Sequence, residues 1–315
     1  MTLAVEVHDL VREFGPVRAV DGLSMSVEEG EILGMLGPNG AGKTTTIRIL
    51  TTLLRPTSGT AAICGFDVVR EADEVRRSIG YVMQEIALDY LMTGREHLEL
   101  QASMYHLPPK EVKRRVQEAL ALVELTEAAD GKAYDYSGGM KKRLDIAGGL
   151  LHRPRVLILD EPSLGLDVQS RHKVWEYIEA LRRDGVTVLL ATNYLDEADR
   201  LCDRLVIIDK GKVVVEGSPE ALKASIGADV VAVELESGAE ELAAALAERP
   251  EVKRTAPSHD GLHIYVPQAA SFLTTLIRLA DELNLSPGAV TYKRPTLDDV
   301  FLLHTGHELA EEAPP

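Results

Sequence analysis

Three short stretches of the chain carry side chains suited to chemistry on phosphate. The first, Gly37, Pro38, Asn39, Gly40, Ala41, Gly42, Lys43, Thr44 and Thr45, fits the pattern G-x-x-x-x-G-K-[ST] of a phosphate-binding loop. Glycines let such a loop curl until its backbone N–H groups face the phosphate oxygens, and the following helix adds the partial positive charge of its N-terminus. Lys43 would reach the β- and γ-phosphates of a nucleotide, and the Thr44 hydroxyl would bind Mg²⁺. The second stretch is the apolar run Val156–Leu159 ending in two adjacent carboxylates, Asp160 and Glu161. Asp160 would hold Mg²⁺ through water, and Glu161 would polarise the water attacking the γ-phosphate as a general base. Read alone, Asp160-Glu161-Pro162 could merely cap the next segment; beside a phosphate loop the chemical role is the stronger reading. The third is Ser137-Gly138-Gly139, ahead of a periodic run from Met140 to His152. Alone it is a helix N-cap with flexible glycines. In company with the other two it reads as a second anion cradle at a helix start.

Side chains so placed need a scaffold of parallel strands. Ile32–Leu36, Val156–Leu159, Val186–Ala191 and Leu205–Ile208 are short, apolar and rich in β-branched residues, the mark of strands covered on both faces. Helical periodicity follows or precedes them in Thr44–Thr52, Gln169–Arg183 and Leu195–Leu201. The alternation predicts an α/β domain around a parallel sheet, delivering Asp160 to the carboxyl edge where ligands of such sheets gather. Val5–Val7 and Leu23–Val27, with turns at Phe14-Gly15 and Asp21-Gly22, predict a small antiparallel element. Between Gly94 and Leu150 no strand pattern stands out; Arg95–Tyr105 and Lys110–Val123 are periodic and broken by Pro108-Pro109, which predicts a helical subdomain over about 85–153. From Ala228 the order becomes β-α-β-β-α-β, ferredoxin-like, with a looser α+β tail as the alternative. The expected domains are 1–227 and 228–315.

Of the 315 residues, 45% are apolar and 27% charged, enough to fill a core and to exclude a mainly disordered chain. The formal charge of −16 argues against nucleic-acid binding and against direct adsorption to anionic lipid. Residues 228–315 hold 15 of the 50 acidic side chains but 6 of the 34 basic ones, so the C-terminal quarter carries more than half of the excess. Cys64 and Cys202 lie far apart without metal-ligand spacing, which predicts two reduced, partly buried thiols. No signal-peptide layout opens the chain, and no apolar run approaches the roughly 20 residues that span a bilayer. Lys141, Lys142 and Arg143, in the first turn of a predicted helix, read as a solvated face or a nucleotide-side cluster rather than a nucleic-acid patch.

The ordered set of motifs over about residues 1–225 resembles the ATP-binding subunits of ABC transporters. Gly37–Thr45 matches their phosphate loop and Gln84, in Gly80-Tyr-Val-Met-Gln84, their Q-loop. Ser137-Gly138-Gly139 matches the signature, Asp160-Glu161 the Walker B pair and Ser163–Asp167 the D-loop. Phe14 stands where the family stacks an aromatic on adenine, a contact worth about 1–3 kcal/mol. The resemblance implies a P-loop NTPase domain with a helical subdomain, ATP and Mg²⁺ as ligands, and Gln84 beside Thr44 and Asp160 around the cation. It also implies head-to-tail pairing of two subunits, a homodimer in the simplest case. Each ATP would then face Ser137, Gly138 and Gly139 of the other copy, and Gln84 would couple hydrolysis to a polytopic membrane permease at the cytoplasmic face. Tyr194-Leu-Asp-Glu-Ala-Asp199, Met92–Glu96 and Pro295–Gly306 further resemble the daunorubicin-resistance type of exporter ATPase, whose C-terminal extension is comparable.

Two positions depart from the pattern. Met140 replaces the usual Gln after the signature glycines. Asn193 stands where most relatives have the switch His that contacts the γ-phosphate; an amide still donates a hydrogen bond but takes no proton near neutrality. A working but slowed hydrolytic site is expected, because Glu161 is intact, and a non-hydrolysing regulatory partner is the alternative that Asn193 suggests. A soluble ATPase of DNA repair or ribosomes is disfavoured by the charge and by the lack of long insertions or a second cassette. The C-terminal domain is expected to support the dimer ahead of binding a small regulator. The acidic balance should favour docking to the basic cytoplasmic loops of a permease.

Overall fold

Alternating apolar residues at the start of the chain build a long hairpin, β1 (Leu3–Phe14) and β2 (Val17–Glu28). These strands run twelve residues each, far beyond the short segments that hydrophobicity marks. The expected turn at Asp21-Gly22 is instead a bulge inside β2: register slips between Leu10–Leu23 and Val11–Asp21, and Gly22 takes φ 72°. This computed structural model describes residues 2–226, 229–235, 237–247, 249–283 and 285–307.

The chain continues through β3 (Ile32–Leu36), α1 (Lys43–Leu50), β4 (Ser58–Ile63), β5 (Phe66–Asp67), α2 (Ala72–Ser78) and β6 (Ile79–Val82). Helices α3 (Gly94–Met104), α4 (Pro109–Leu122) and α5 (Gly138–Leu150) follow, then β7 (Val156–Asp160), α6 (Val168–Arg183), β8 (Thr187–Thr192), α7 (Leu195–Leu201), β9 (Arg204–Asp209) and β10 (Lys212–Gly217). Two sheets form. One is antiparallel, in the order β2-β1-β4-β5; the other has the order β10-β9-β3-β8-β7-β6, and its strands from β9 to β6 are parallel.

Every residue of β3, β7 and β8 is buried, because the parallel sheet is covered on both faces. On one face Leu33, Met35, Ile158 and Leu189 join Ile47 and Leu50 of α1 and Val5, Leu10 and Leu23 of the hairpin in one cluster. On the other, α7 packs on β3 and β8, and α5 on β6. Burying each such Leu, Ile or Val contributes about 1.5–3 kcal/mol. Strands β4 and β6 carry no clear sequence signal. Half of β4 is exposed, and β6 starts directly at the end of α2 with no turn residue between.

Helices α3 to α5 bury an apolar cluster of their own, including Leu98, Val116, Leu120 and Leu144. Helix α3 is opened by a capping box between Thr93 and Glu96, and α4 by Pro109 at its first position.

A second compact unit runs from Val214 to Ala310, the first ending within β10. The division thus falls ahead of residue 227, itself outside the described residues, because α8 (Pro219–Ile226) packs against α11 (Leu297–Thr305). Between them lie β11 (Asp229–Glu234), α9 (Ala239–Ala247), β12 (Arg254–Ser258), β13 (Gly261–Val266), α10 (Ala269–Glu282) and β14 (Val290–Lys293). They form an antiparallel sheet in the order β12-β13-β11-β14. Val231, Val233, Leu262 and Ile264 face α9 and α10, meeting Leu242, Phe272 and Leu276. The opposite face meets α11: His263 on β13 lies 3.5 Å from buried Asp299, and Arg254 on β12 donates to the Leu303 carbonyl. No helix among the described residues is long and apolar enough to cross a membrane.

Burial in the helical region has a pH signature. His97 on α3 is 5% exposed with no hydrogen bond at either ring nitrogen, and His152 bonds the Ile79 carbonyl through Nε2. Desolvation lowers both imidazoles below their ordinary 6.5. The unfolded chain therefore takes up protons that the native one refuses. Stability from these groups is full above about pH 6.5 and is lost as pH falls, by up to about 1.4 kcal/mol per pH unit for each. Chemical denaturation from pH 7 to 5.5 should show this slope, and His97→Leu should make it shallower; an unchanged slope would remove His97 from the account.

Candidate nucleotide site

Strand β3 ends at Leu36, and the next six residues wrap the carboxyl edge of the parallel sheet before α1 begins at Lys43. Two glycines there are dictated by contact. A β-carbon on Gly37 would collide with the Ile208 carbonyl of β9, and one on Gly42 would lie 2.5 Å from the Ala19 carbonyl at a φ of 106°. The neighbouring hairpin laces the loop down: Gly211 N–H donates to the Ala41 carbonyl, and Asp21 N–H to the Gly211 carbonyl.

Lys43 opens α1 and turns back into the loop. Its ammonium, 4% exposed, donates to the Gly37 carbonyl at 2.6 Å and the Pro38 carbonyl at 3.3 Å. Across from it stands Glu161, with Nζ and Oε1 3.8 Å apart. Glu161 reaches this position through a left-handed backbone at φ 49°, immediately after β7, while its N–H donates to Ala191 of β8. Such a conformation costs a non-glycine residue of order 1–3 kcal/mol and is tolerated where surroundings over-determine it. Asp160, the last residue of β7, is 1% exposed and accepts from the Thr44 hydroxyl at 3.5 Å. Burial pushes its pKa up, opposed by the Thr44 hydrogen bond and by Lys43, Arg48 and Lys142.

These groups edge a cleft of about 580 Å³ lined by Phe14, Val17, Arg18, Ala19, Pro38, Asn39, Gly40, Gly42, Lys43, Thr44, Thr45, Gln84, Glu161 and Lys210. Phe14, 45% exposed, presents its ring from the end of β1 with the Arg12 guanidinium 4.5 Å above it. Val17, Arg18, Ala19 and Lys210 belong to no motif; they arrive from the start of β2 and from the β9–β10 turn, and only the lacing of these segments to the loop could have revealed them. Arg18 is held by Glu13 and Asp21, the Asp21 hydrogen bond contributing most to raising its pKa.

Ser137, Gly138, Gly139 and Asn193 do not line this cleft. Ser137 caps α5 by accepting from Met140 N–H, and it and Gly138 are exposed. Gly139 is buried: a β-carbon there would strike the Ser170 hydroxyl, which itself bonds Asp167 at the start of α6. Close approach of α5 and α6 therefore requires this glycine irrespective of any anion. Asn193 lies between β8 and α7, 5% exposed, with its Oδ1 lacking a hydrogen bond. The basic run is not a solvated face. Lys142 is 2% exposed and donates to the Met83 carbonyl, Arg143 donates to the Val123 carbonyl, and Lys141 lies over the Tyr90 ring. Cys64 is half-buried and Cys202 buried, both free, and burial raises the Cys202 thiol well above its usual range.

The donor set suits a triphosphate with a hard divalent cation. The loop offers N–H groups and one buried ammonium, and Thr44 and Asp160 bring a hydroxyl and a carboxylate together. No group of three or more His, Cys, Asp or Glu able to hold a metal occurs among the described residues. The set thus fits a cation such as Mg²⁺, which keeps waters and takes most other oxygens from phosphate.

Residues 20–164 match the family model described as ABC transporter. Daunorubicin resistance ATP-binding protein DrrA2 of Streptomyces coeruleorubidus is 41% identical over 310 residues, 96% of this chain and 95% of its own. Nod factor export ATP-binding protein I of Ralstonia nicotianae is 38% identical over 314 residues, 98% of this chain and 96% of its own. Among solved structures, the dimeric post-hydrolysis state of the ATP-binding cassette MJ0796 bound to ADP and Pi superposes with a TM-score of 0.61. It is 28% identical and covers 68% of this chain and 98% of that one. ABC ATP-binding subunits dimerise and work with membrane permeases. A phosphate loop facing a buried carboxylate pair, on a chain matched along nearly its whole length, places this protein in the ABC transporter family as an ATP-binding, ATP-hydrolysing subunit related to drug-resistance exporter ATPases.

Proposed function

We propose that this chain is the ATPase of an exporter, acting as a homodimer at the cytoplasmic face of a membrane and driving a drug, lipid or other hydrophobic compound through a separate polytopic permease. The observation that carries the proposal is the convergence of Lys43, Thr44, Asp160 and Glu161 on one side of the cleft. The two relatives named above differ in cargo by name, which supports a cargo choice made by the permease.

Lys43 and the N–H groups of Gly40 to Thr45 would bind the β- and γ-phosphates, and Phe14 would stack on adenine. Thr44 and Asp160, with Gln84 beside them, would hold Mg²⁺, whose charge draws the phosphate oxygens together and neutralises them. Glu161 would accept a proton from water as the water oxygen bonds the γ-phosphorus and the bond to the β-phosphate oxygen breaks. The amide of Asn193 would donate to the γ-phosphate. Exposure of Ser137 and Gly138 away from this cleft supports their use on a second copy's ATP, head to tail. A groove of about 1050 Å³ supports docking of the permease beside the Gln84 segment; it is lined by Ala87, Leu100, Met104 and Tyr105 together with Asp73, Arg76 and Asp89.

Steady-state ATPase assays address the chemistry. Glu161→Gln should lower kcat about 10²-fold or more, and Asn193→His should raise it about tenfold. Equal rates for wild type and Glu161→Gln would take Glu161 out of the reaction. Purification from membranes at low and high salt addresses the partner. A polytopic membrane protein should co-purify and be lost as salt rises, whereas recovery of the chain alone at every salt concentration would argue against export.

The unit 214–310 is proposed to support the dimer. Light scattering of a chain ending at Gly217, which removes α8 together with α11, should show weaker self-association; an unchanged dimer would assign the unit another role.

A further inference from the structure

Lys142, the middle of three consecutive basic residues on α5, is 2% exposed. Its neighbour on the same helix, Asp145, is 7% exposed and is the obvious partner by charge. The ammonium pairs with Asp145 at 3.8 Å and donates its short hydrogen bond to the Met83 carbonyl, at 2.7 Å. The Asp145 Oδ2 is left without a hydrogen bond. Burial pulls the Lys142 ammonium down against the nearby carboxylates, and burial pushes Asp145 up to about 6 against Lys142. A buried ammonium that pairs with a carboxylate of its own helix and makes its short hydrogen bond to a carbonyl outside that helix points to that carbonyl as what the lysine fixes in place.

Met83 directly precedes Gln84, which lines the nucleotide cleft. Lys142 sits in the second turn of α5, whose first residues follow the Ser137 cap. The helix between them is a rigid rod rising about 1.5 Å per residue. We propose that Lys142 is a positioning residue that ties the Gln84 segment to the α5 N-terminus, so that nucleotide in this chain's cleft sets the placement of the Ser137-Gly138-Gly139 cradle offered to the second copy. The inference rests on the dimeric reading above and adds to it the physical link between one ATP site and the other. Gln84 and Ser137 share no direct bond in the link: it runs from the cleft through the Met83 peptide, one charge-assisted hydrogen bond and one helix turn.

The test uses the full-length protein with Lys142→Met, which keeps the aliphatic stem, and Lys142→Arg, which keeps donors. Removing a hydrogen bond to a charged group should lower kcat about tenfold in Lys142→Met, with ATP affinity within about threefold of wild type and recovery of most activity in Lys142→Arg. Hydrogen exchange with ATP added reads the tie without hydrolysis. In wild type the segments 83–86 and 137–141 should both gain protection; in Lys142→Met only 83–86 should. Protection of 137–141 in Lys142→Met equal to wild type would overturn the tie. So would parallel loss of kcat, ATP affinity and melting temperature in both variants, which marks a merely structural lysine. Glu161→Gln in the same exchange experiment separates the two readings: it should lose turnover and keep both protections. Loss of turnover in Glu161→Gln with neither segment protected in any protein would count against the dimeric reading and, with it, the tie.

Discussion

A single ammonium governs the layout of the first unit. Lys43 is withdrawn from water, held by two carbonyls of its own loop and faced by Glu161. A charge in that position must have its partners fixed in place, because a buried charge left unpaired is far more expensive than one never buried. That demand explains the parallel strands, which bring Gly37, Asp160 and Thr192 to the same edge in adjacent register. It explains Gly37 and Gly42, whose side chains would push the loop off β9 and β2. It also explains the left-handed Glu161, anchored by its N–H to Ala191 so that its carboxylate can approach the lysine.

The same constraint reconciles an acidic protein with a polyanionic ligand. The global charge of −16 sets a field that screens away over about 10 Å at 0.1 M salt, whereas N–H groups and one ammonium act at contact distance. Local geometry outweighs composition at the site. Composition retains its say at the outer surface, where a permease with basic loops would meet the chain.

Legibility in the sequence follows the range of the interactions. The phosphate loop, the carboxylate pair and the Ser137 cap are each contained in one short stretch, so residue types and spacing sufficed. The alternation of strands and helices was equally local. What escaped were features decided by distant neighbours. Asp21-Gly22 looks like a turn, but pairing with Val11 makes it a bulge. Arg18 and Lys210 line the cleft only because Gly211 bonds the phosphate loop. Lys142 looks solvated, and only the packing of α5 on β6 buries it. Strand β6, which carries Gln84 to the cleft, begins without a break after α2 and so leaves no boundary to read.

The covered sheet of the second unit has a consequence for aggregation. With helices on both faces, its unpaired backbone is confined to the two edge strands. One edge, β12, contains Pro257, which offers no N–H, and exposes Arg254; the other, β14, is only four residues long. Short strands, proline and charge are the devices by which sheets refuse a further strand. These edges disfavour extension of the sheet, so an association of two copies through this unit would use side chains rather than add a strand.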